Sequence, residues 1–122
     1  MPEFRSVALK DLTLRVAIEG KGPLVVFVHG FPESWYSWRH QMGPVAEAGY
    51  TACAIDVRGY GGSDKPHPVE AYTLEALSGD VAELIATLSP QEPAVVVGHH
   101  RDAMAGRMSG KSTWLVAFAA PA

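Results

Sequence analysis

Leu24-Val25-Val26-Phe27-Val28, entered through Gly20-Lys21-Gly22-Pro23 and left through His29-Gly30, is apolar at every position. A strand with no polar face is covered on both sides, so this run predicts the centre of a sheet with helices packed against each surface. Two further runs repeat the signal: Thr51-Ala52-Cys53-Ala54-Ile55, and Ala94-Val95-Val96-Val97 leading into Gly98. Between them lie helical periods. Trp35, Trp38, Met42, Val45 and Ala46 recur at helical spacing over 35–48, with Gly49 placed as the C-terminal cap. Thr73 opens a second helix, with Glu75 behind it and Leu77, Val81, Leu84, Ile85 and Leu88 along one stripe. Strands alternating with helices at this spacing imply right-handed crossovers and an α/β fold with a mostly parallel sheet.

Outward from that centre, residues 3–9 and 12–19 alternate apolar with polar and meet at Asp11, which predicts an N-terminal antiparallel hairpin. Glycines, prolines and charges from Asp56 to Pro68 describe a long loop. After a polar stretch from Arg107 to Thr113, Trp114-Leu115-Val116-Ala117-Phe118 reads as a last strand.

The 122 residues, 48% of them hydrophobic, fit one domain with a modest core. A formal charge of −3 with scattered Lys and Arg provides no field for a polyanion, so no nucleic-acid partner is expected. Cys53 is the only cysteine, which excludes an internal disulfide, and between Ala52 and Ala54 it reads as a buried strand thiol. No apolar run reaches the roughly 18 residues of a membrane span, and Met1-Pro-Glu-Phe-Arg lacks the pattern of a leader. The expectation is a cytoplasmic protein with no membrane partner. Gly110-Lys111-Ser112-Thr113 resembles the end of a phosphate-binding loop, but position 105 is Ala105 where that motif has glycine. His99 and His100 are adjacent and point apart on a strand, and nothing else has ligand spacing, so no metal and no cofactor are expected.

His29-Gly30-Phe31-Pro32-Glu33-Ser34-Trp35-Tyr36-Ser37-Trp38-Arg39 closely resembles the oxyanion-loop segment of epoxide hydrolases in the α/β-hydrolase superfamily. Arg58-Gly59-Tyr60-Gly61-Gly62-Ser63-Asp64-Lys65-Pro66 resembles a second loop of that family, and Tyr72-Thr73-Leu74 with Gly79-Asp80-Val81 resembles the helix after it. The resemblance covers residues 3 to about 99, so 1–122 reads as the N-terminal part of an α/β-hydrolase core without lid or C-terminal strands. Taken alone, Gly30 and Pro32 suit a plain strand-to-helix turn as well as an oxyanion loop, and the eleven-residue match decides for the second. The resemblance then implies that the Phe31 amide is one oxyanion donor, with His29, Gly30 and Pro32 supporting it. The aromatic cluster of Trp35, Tyr36 and Trp38 is read as packing under the helix.

The superfamily sets its nucleophile on a sharp turn of the form small-x-nucleophile-x-small, and epoxide hydrolases typically carry Gly-His-Asp-Trp-Gly there. Here the stretch is Gly98-His99-His100-Arg101-Asp102. Gly98 and His99 match, His100 stands at the nucleophile position, and Arg101 would supply the second backbone donor if the turn forms. Asp102, a displaced candidate nucleophile, occupies the place of the small residue that lets the turn close. An attacking imidazole would give an alkylated cation where the family makes an ester that water cleaves, so turnover should fail. The family's acid and base lie on loops after later strands, and about twenty residues follow the turn. The function implied is therefore an epoxide-hydrolase-like hydrolase with an altered nucleophile turn, its natural substrate a small epoxide. Arg101 also resembles the turn of fluoroacetate dehalogenases, which makes a haloalkane or fluoroacetate dehalogenase, acting on a halide substrate, the enzymatic alternative. A non-catalytic fragment or frameshifted product is the other, and the last strand would then present an exposed sheet edge open to self-association.

Overall fold

The computed structural model describes residues 2–29, 34–66, 69–101 and 112–119. The hairpin is β1 (Glu3–Ala8) against β2 (Thr13–Glu19), antiparallel from Glu3 opposite Ile18 to Ala8 opposite Thr13. Then follow β3 (Leu24–Val28), a 3₁₀ turn at Trp35–Trp38, α1 (Arg39–Glu47) and β4 (Thr51–Ile55). A second 3₁₀ turn, Val69–Tyr72, leads into α2 (Leu74–Leu88), and β5 (Ala94–Arg101) and β6 (Ser112–Ala119) complete the described elements. They form one six-stranded sheet in the order β1-β2-β4-β3-β5-β6. The expected parallel arrangement holds at its centre, where β3 pairs parallel with both β4 and β5. The flanks are antiparallel, with β2 on β4 and β6 on β5, so the sheet as a whole is mixed.

Strand pleating explains the doubly apolar centre. Leu24 and Val26 face one side, where Val16, Ile18, Cys53, Ile55 and the helical Leu84 and Ile85 close a core. Val25 and Phe27 face the other, packed with Ala52, Ala54, Trp38 and Met42. The two helices thus sit on opposite faces, each tied down at its ends. Thr73 accepts the Ala76 N–H at 3.1 Å and caps α2. Gly49, at φ +98°, turns the chain out of α1 as expected of a glycine past a helix end. Of the predicted aromatic cluster, Trp38 is buried against Phe27, whereas Tyr36 is 54% exposed with Arg39 stacked 3.9 Å over its ring, a correction to its placement under the helix. Among the described residues no helix is long and apolar enough to cross a membrane.

Candidate active site

Open parallel sheets bind ligands beyond the carboxyl ends of their strands, which here means the residues after β3 and β4 and the end of β5. His29 follows β3 and is buried. Its Nε2 accepts the Val57 N–H at 2.9 Å, and its ring meets Tyr60 edge-on at 5.4 Å. An imidazole that accepts at Nε2 is neutral and carries its proton on Nδ1. Gly30, Phe31 and Pro32 lie outside the described residues.

Asp56 follows β4, is fully buried, and organises this end of the sheet. Its Oδ1 accepts the Trp35 N–H at 2.8 Å, while Oδ2 accepts Arg15 Nε and the Gly62 N–H, each at 2.9 Å. A buried carboxylate is tolerable only when its oxygens are satisfied in this way. Its backbone is held too: the Ser63 hydroxyl donates to the Asp56 carbonyl at 2.6 Å and accepts the Arg15 N–H at 2.8 Å. Gly61, at φ +52°, lies so close that a Cβ there would fall 2.2 Å from Asp56 Oδ2. Gly61 therefore leaves the room the carboxylate needs. His29 and Trp35, on either side of 30–33, are thus bonded to the single dipeptide Asp56-Val57.

Arg58 and Asp80 join the second loop to α2. Arg58 Nε and Nη2 donate to the two Asp80 oxygens at 2.7 and 2.6 Å, and Nη1 donates to the Ala71 carbonyl at 2.6 Å. Both side chains are buried, and the hydrogen bonds to Asp80 hold the guanidinium pKa above its ordinary value against the opposing cost of burial. Beside them a cavity of about 100 Å³ is lined by His29, Arg58 and Asp80 with Leu14, Ile55 and Val81.

The end of β5 does not follow the turn that the family carries. Gly98, His99, His100 and Arg101 continue as strand, with His99 opposite Trp114, His100 opposite Thr113 and Arg101 opposite Ser112. The sharp turn implied after Gly98 is not formed within 98–101, and the Arg101 backbone lies in a sheet ladder where the resemblance has a strand-to-helix turn. Two features of the chain agree with this. Asp102 removes the small residue that lets such a turn close, and 112–119 offers a strand to pair with. Asp102 itself lies outside the described residues.

A family model for the alpha/beta hydrolase fold matches residues 23–99, which includes β3, α1, β4, α2 and the start of β5. This chain belongs to the α/β-hydrolase family. Epoxide hydrolase B of Mycobacterium tuberculosis is 53% identical over 79 residues, which are 65% of this chain and 22% of that protein. Epoxide hydrolase 2 of Siraitia grosvenorii is 40% identical over 102 residues, 84% of this chain and 32% of the relative. The AB hydrolase superfamily protein YfhM of Bacillus subtilis is 46% identical over 95 residues, 76% and 33% of the two chains. Among solved structures, epoxide hydrolase VrEH1 from Vigna radiata superposes with a TM-score of 0.78 at 42% identity, over 86% of this chain and 32% of that one. The chain therefore spans about a third or less of the length of the relatives it matches.

For this α/β-hydrolase the sequence marked two loops by resemblance and missed how they are joined. Asp56 read only as the first residue of a loop, and Arg58 and Asp80 only as parts of two separate matching segments. The available signal for Asp56 was a lone carboxylate at the end of a buried strand, where a charge needs several donors. Nothing local signals the Arg58–Asp80 pair, whose partners are 22 residues apart.

Proposed function

We propose that this chain is an epoxide-hydrolase-type core that contributes an oxyanion arm at Phe31 and does not open epoxides by itself. In this reading a small epoxide is the substrate of the complete enzyme. A carboxylate would attack one ring carbon, the C–O bond would break, and the alkoxide left on the neighbouring carbon would need a donor before water cleaves the ester to the diol. What supports the arm is the double attachment described above: His29 and Trp35 are both bonded to Asp56-Val57, fixing the entry to and exit from 30–33 beside the carboxyl end of β3. The relatives named as epoxide hydrolases support the substrate class.

The chain departs from that chemistry at His100, which stands where the family carries its carboxylate. Imidazole attack would leave an alkylated ring that water does not release. The test is diol release from styrene oxide by the purified chain, with Asp102→Ala and His100→Asp beside it. No diol is expected from any of the three, because neither variant supplies the acid and base that the family carries on later strands. Turnover by the unaltered chain that disappears in Asp102→Ala would make Asp102 a working nucleophile and overturn the proposal. Diol formation by His100→Asp would show that the remaining machinery is already present, and would overturn it equally.

A further inference from the structure

Arg15 lies on β2 with its side chain 37% exposed, yet it reaches the fully buried Asp56. Its Nε donates to Oδ2 at 2.9 Å and brings a cation to a carboxylate that also accepts the neutral amides of Trp35 and Gly62. A charge-assisted bond of this kind is stronger than one between neutral groups. It also fixes the rotation of the carboxylate, so that Oδ1 is left facing the Trp35 N–H. The Arg15 backbone is tied to the same place: its N–H donates to Ser63 Oγ at 2.8 Å, and its carbonyl accepts the Asp56 N–H at 2.9 Å.

The Arg15 side chain has two further contacts. Gly62 lies so close that a Cβ there would fall 2.5 Å from Nε and 2.6 Å from Cδ. The Phe4 ring centroid is 5.2 Å from Cζ, a cation–π contact. Phe4 is opposite Ala17 in the hairpin and so diagonal to Arg15, a spacing that an aromatic ring and a long side chain can bridge. The same ring meets Trp35 edge-on at 5.0 Å. Trp35 is thus held twice, its N–H by Asp56 and its indole by Phe4, and Arg15 touches both holders. Residues of β1, β2, the segment after β4 and the 3₁₀ turn close one circuit.

We propose that Arg15 is a positioning residue, which sets the place of Trp35, and with it the exit from 30–33, by orienting the Asp56 carboxylate and the Phe4 ring. This rests on the reading of 30–33 as an oxyanion arm given above. Arg15 touches no substrate atom in this role and acts through its two neighbours. The N-terminal hairpin then serves the site as well as the edge of the sheet. A merely structural Arg15 would have another signature, because its loss would loosen α2, packed on the opposite face through Leu84 and Ile85, as much as it loosens Trp35.

Amide hydrogen exchange, followed residue by residue by NMR in the unaltered chain and in Arg15→Met, separates the two. Methionine keeps an unbranched stem against Gly62 and loses the donor and the charge. Exchange at Trp35 and Gly62, the two amides on Asp56, should quicken by at least about tenfold, while Leu84 and Ile85 change by less than about twofold. Phe4→Leu should quicken Trp35 more than Gly62, and adding it to Arg15→Met should quicken Trp35 by less than the product of the single effects, since both act on one circuit. In the unaltered chain the Arg15 Nε–H should itself be protected and give a separate resonance, a readout that needs no variant and that, with Phe4→Leu, decides the matter if Arg15→Met does not fold. An unprotected Arg15 Nε–H, unchanged Trp35 exchange in Arg15→Met, or a uniform rise that includes Leu84 and Ile85 would overturn the proposal. The styrene oxide assay bears on the arm and leaves these rates where they are, so the two readings fail separately.

Discussion

Asp80→Ala removes both acceptors from a guanidinium whose own side chain is only 9% exposed, with the Asp80 side chain at 6%. Arg58 keeps its bond to the Ala71 carbonyl but is left as a buried cation without the carboxylate that is hydrogen-bonded to it. Breaking such a pair from one side costs about 3–5 kcal/mol, a hundred- to several-thousand-fold change in the folding equilibrium and a large part of the roughly 5–15 kcal/mol that holds a domain together. Urea denaturation followed by tryptophan fluorescence reads this as a fall in the midpoint. The informative comparison is the double variant Arg58→Met/Asp80→Leu, which replaces the pair by apolar side chains. It should lie closer to the unaltered protein than Asp80→Ala does, because most of the single-variant loss is the orphaned charge. A loss below about 1 kcal/mol in Asp80→Ala, or a double variant whose loss equals the sum of those of Arg58→Met and Asp80→Leu alone, would refute the assignment of Arg58–Asp80 as a coupled buried pair.

Asp56→Ala should cost about 2–4 kcal/mol, since Trp35 N–H, Gly62 N–H and Arg15 Nε lose one shared acceptor; thermal unfolding gives the loss, and faster hydrogen exchange at the Trp35 and Gly62 amides locates it. Cys53 should resist an aromatic disulfide reagent at pH 8 until the chain unfolds, because burial pushes its thiol up to about 12 from 9.0. The fold favours the neutral thiol, so that contribution is whole below pH 9 and is lost as pH rises from 9 towards 12, by up to about 1.4 kcal/mol per pH unit. A denaturation series across that window should show the slope, and Cys53→Ala should flatten it. Thr73→Ala should lower stability by about 1 kcal/mol by the same denaturation assay, through loss of the α2 cap.

The parts of this fold that were legible are those written locally. Leu24–Val28 announces a doubly covered strand by composition alone, and Thr73 and Gly49 mark helix ends by side-chain and backbone chemistry that acts within a turn. Strand order and register are long-range agreements. Nothing within 13–19 states that its partner is 51–55 and not the nearer 24–28. Asp56 and the Arg58–Asp80 pair are hidden for the same reason, since the meaning of Asp56 lies in donors brought from β2 and the 3₁₀ turn at Trp35–Trp38, and that of Arg58 in an acceptor brought from α2. At the end of β5 a resemblance strong up to His99 implied a turn, whereas the residues that follow, Asp102 among them, belong to a different local pattern and the strand runs on.

The position of β4 also governs the order in which the molecule can be made. β2 and β3 leave the ribosome first, yet they never touch as neighbours, because the slot between them belongs to a strand that begins more than twenty residues later. Until residues 51–55 arrive, β2 and β3 both lack the strand that each pairs with on its inner edge. The carboxylate of Asp56, the next residue synthesised, is the one that bonds to Arg15 on the first side and Trp35 on the second. Insertion of β4 and its locking are consequently almost one event, and a chain stalled a few codons short of it would have an unfilled gap at the centre of its sheet.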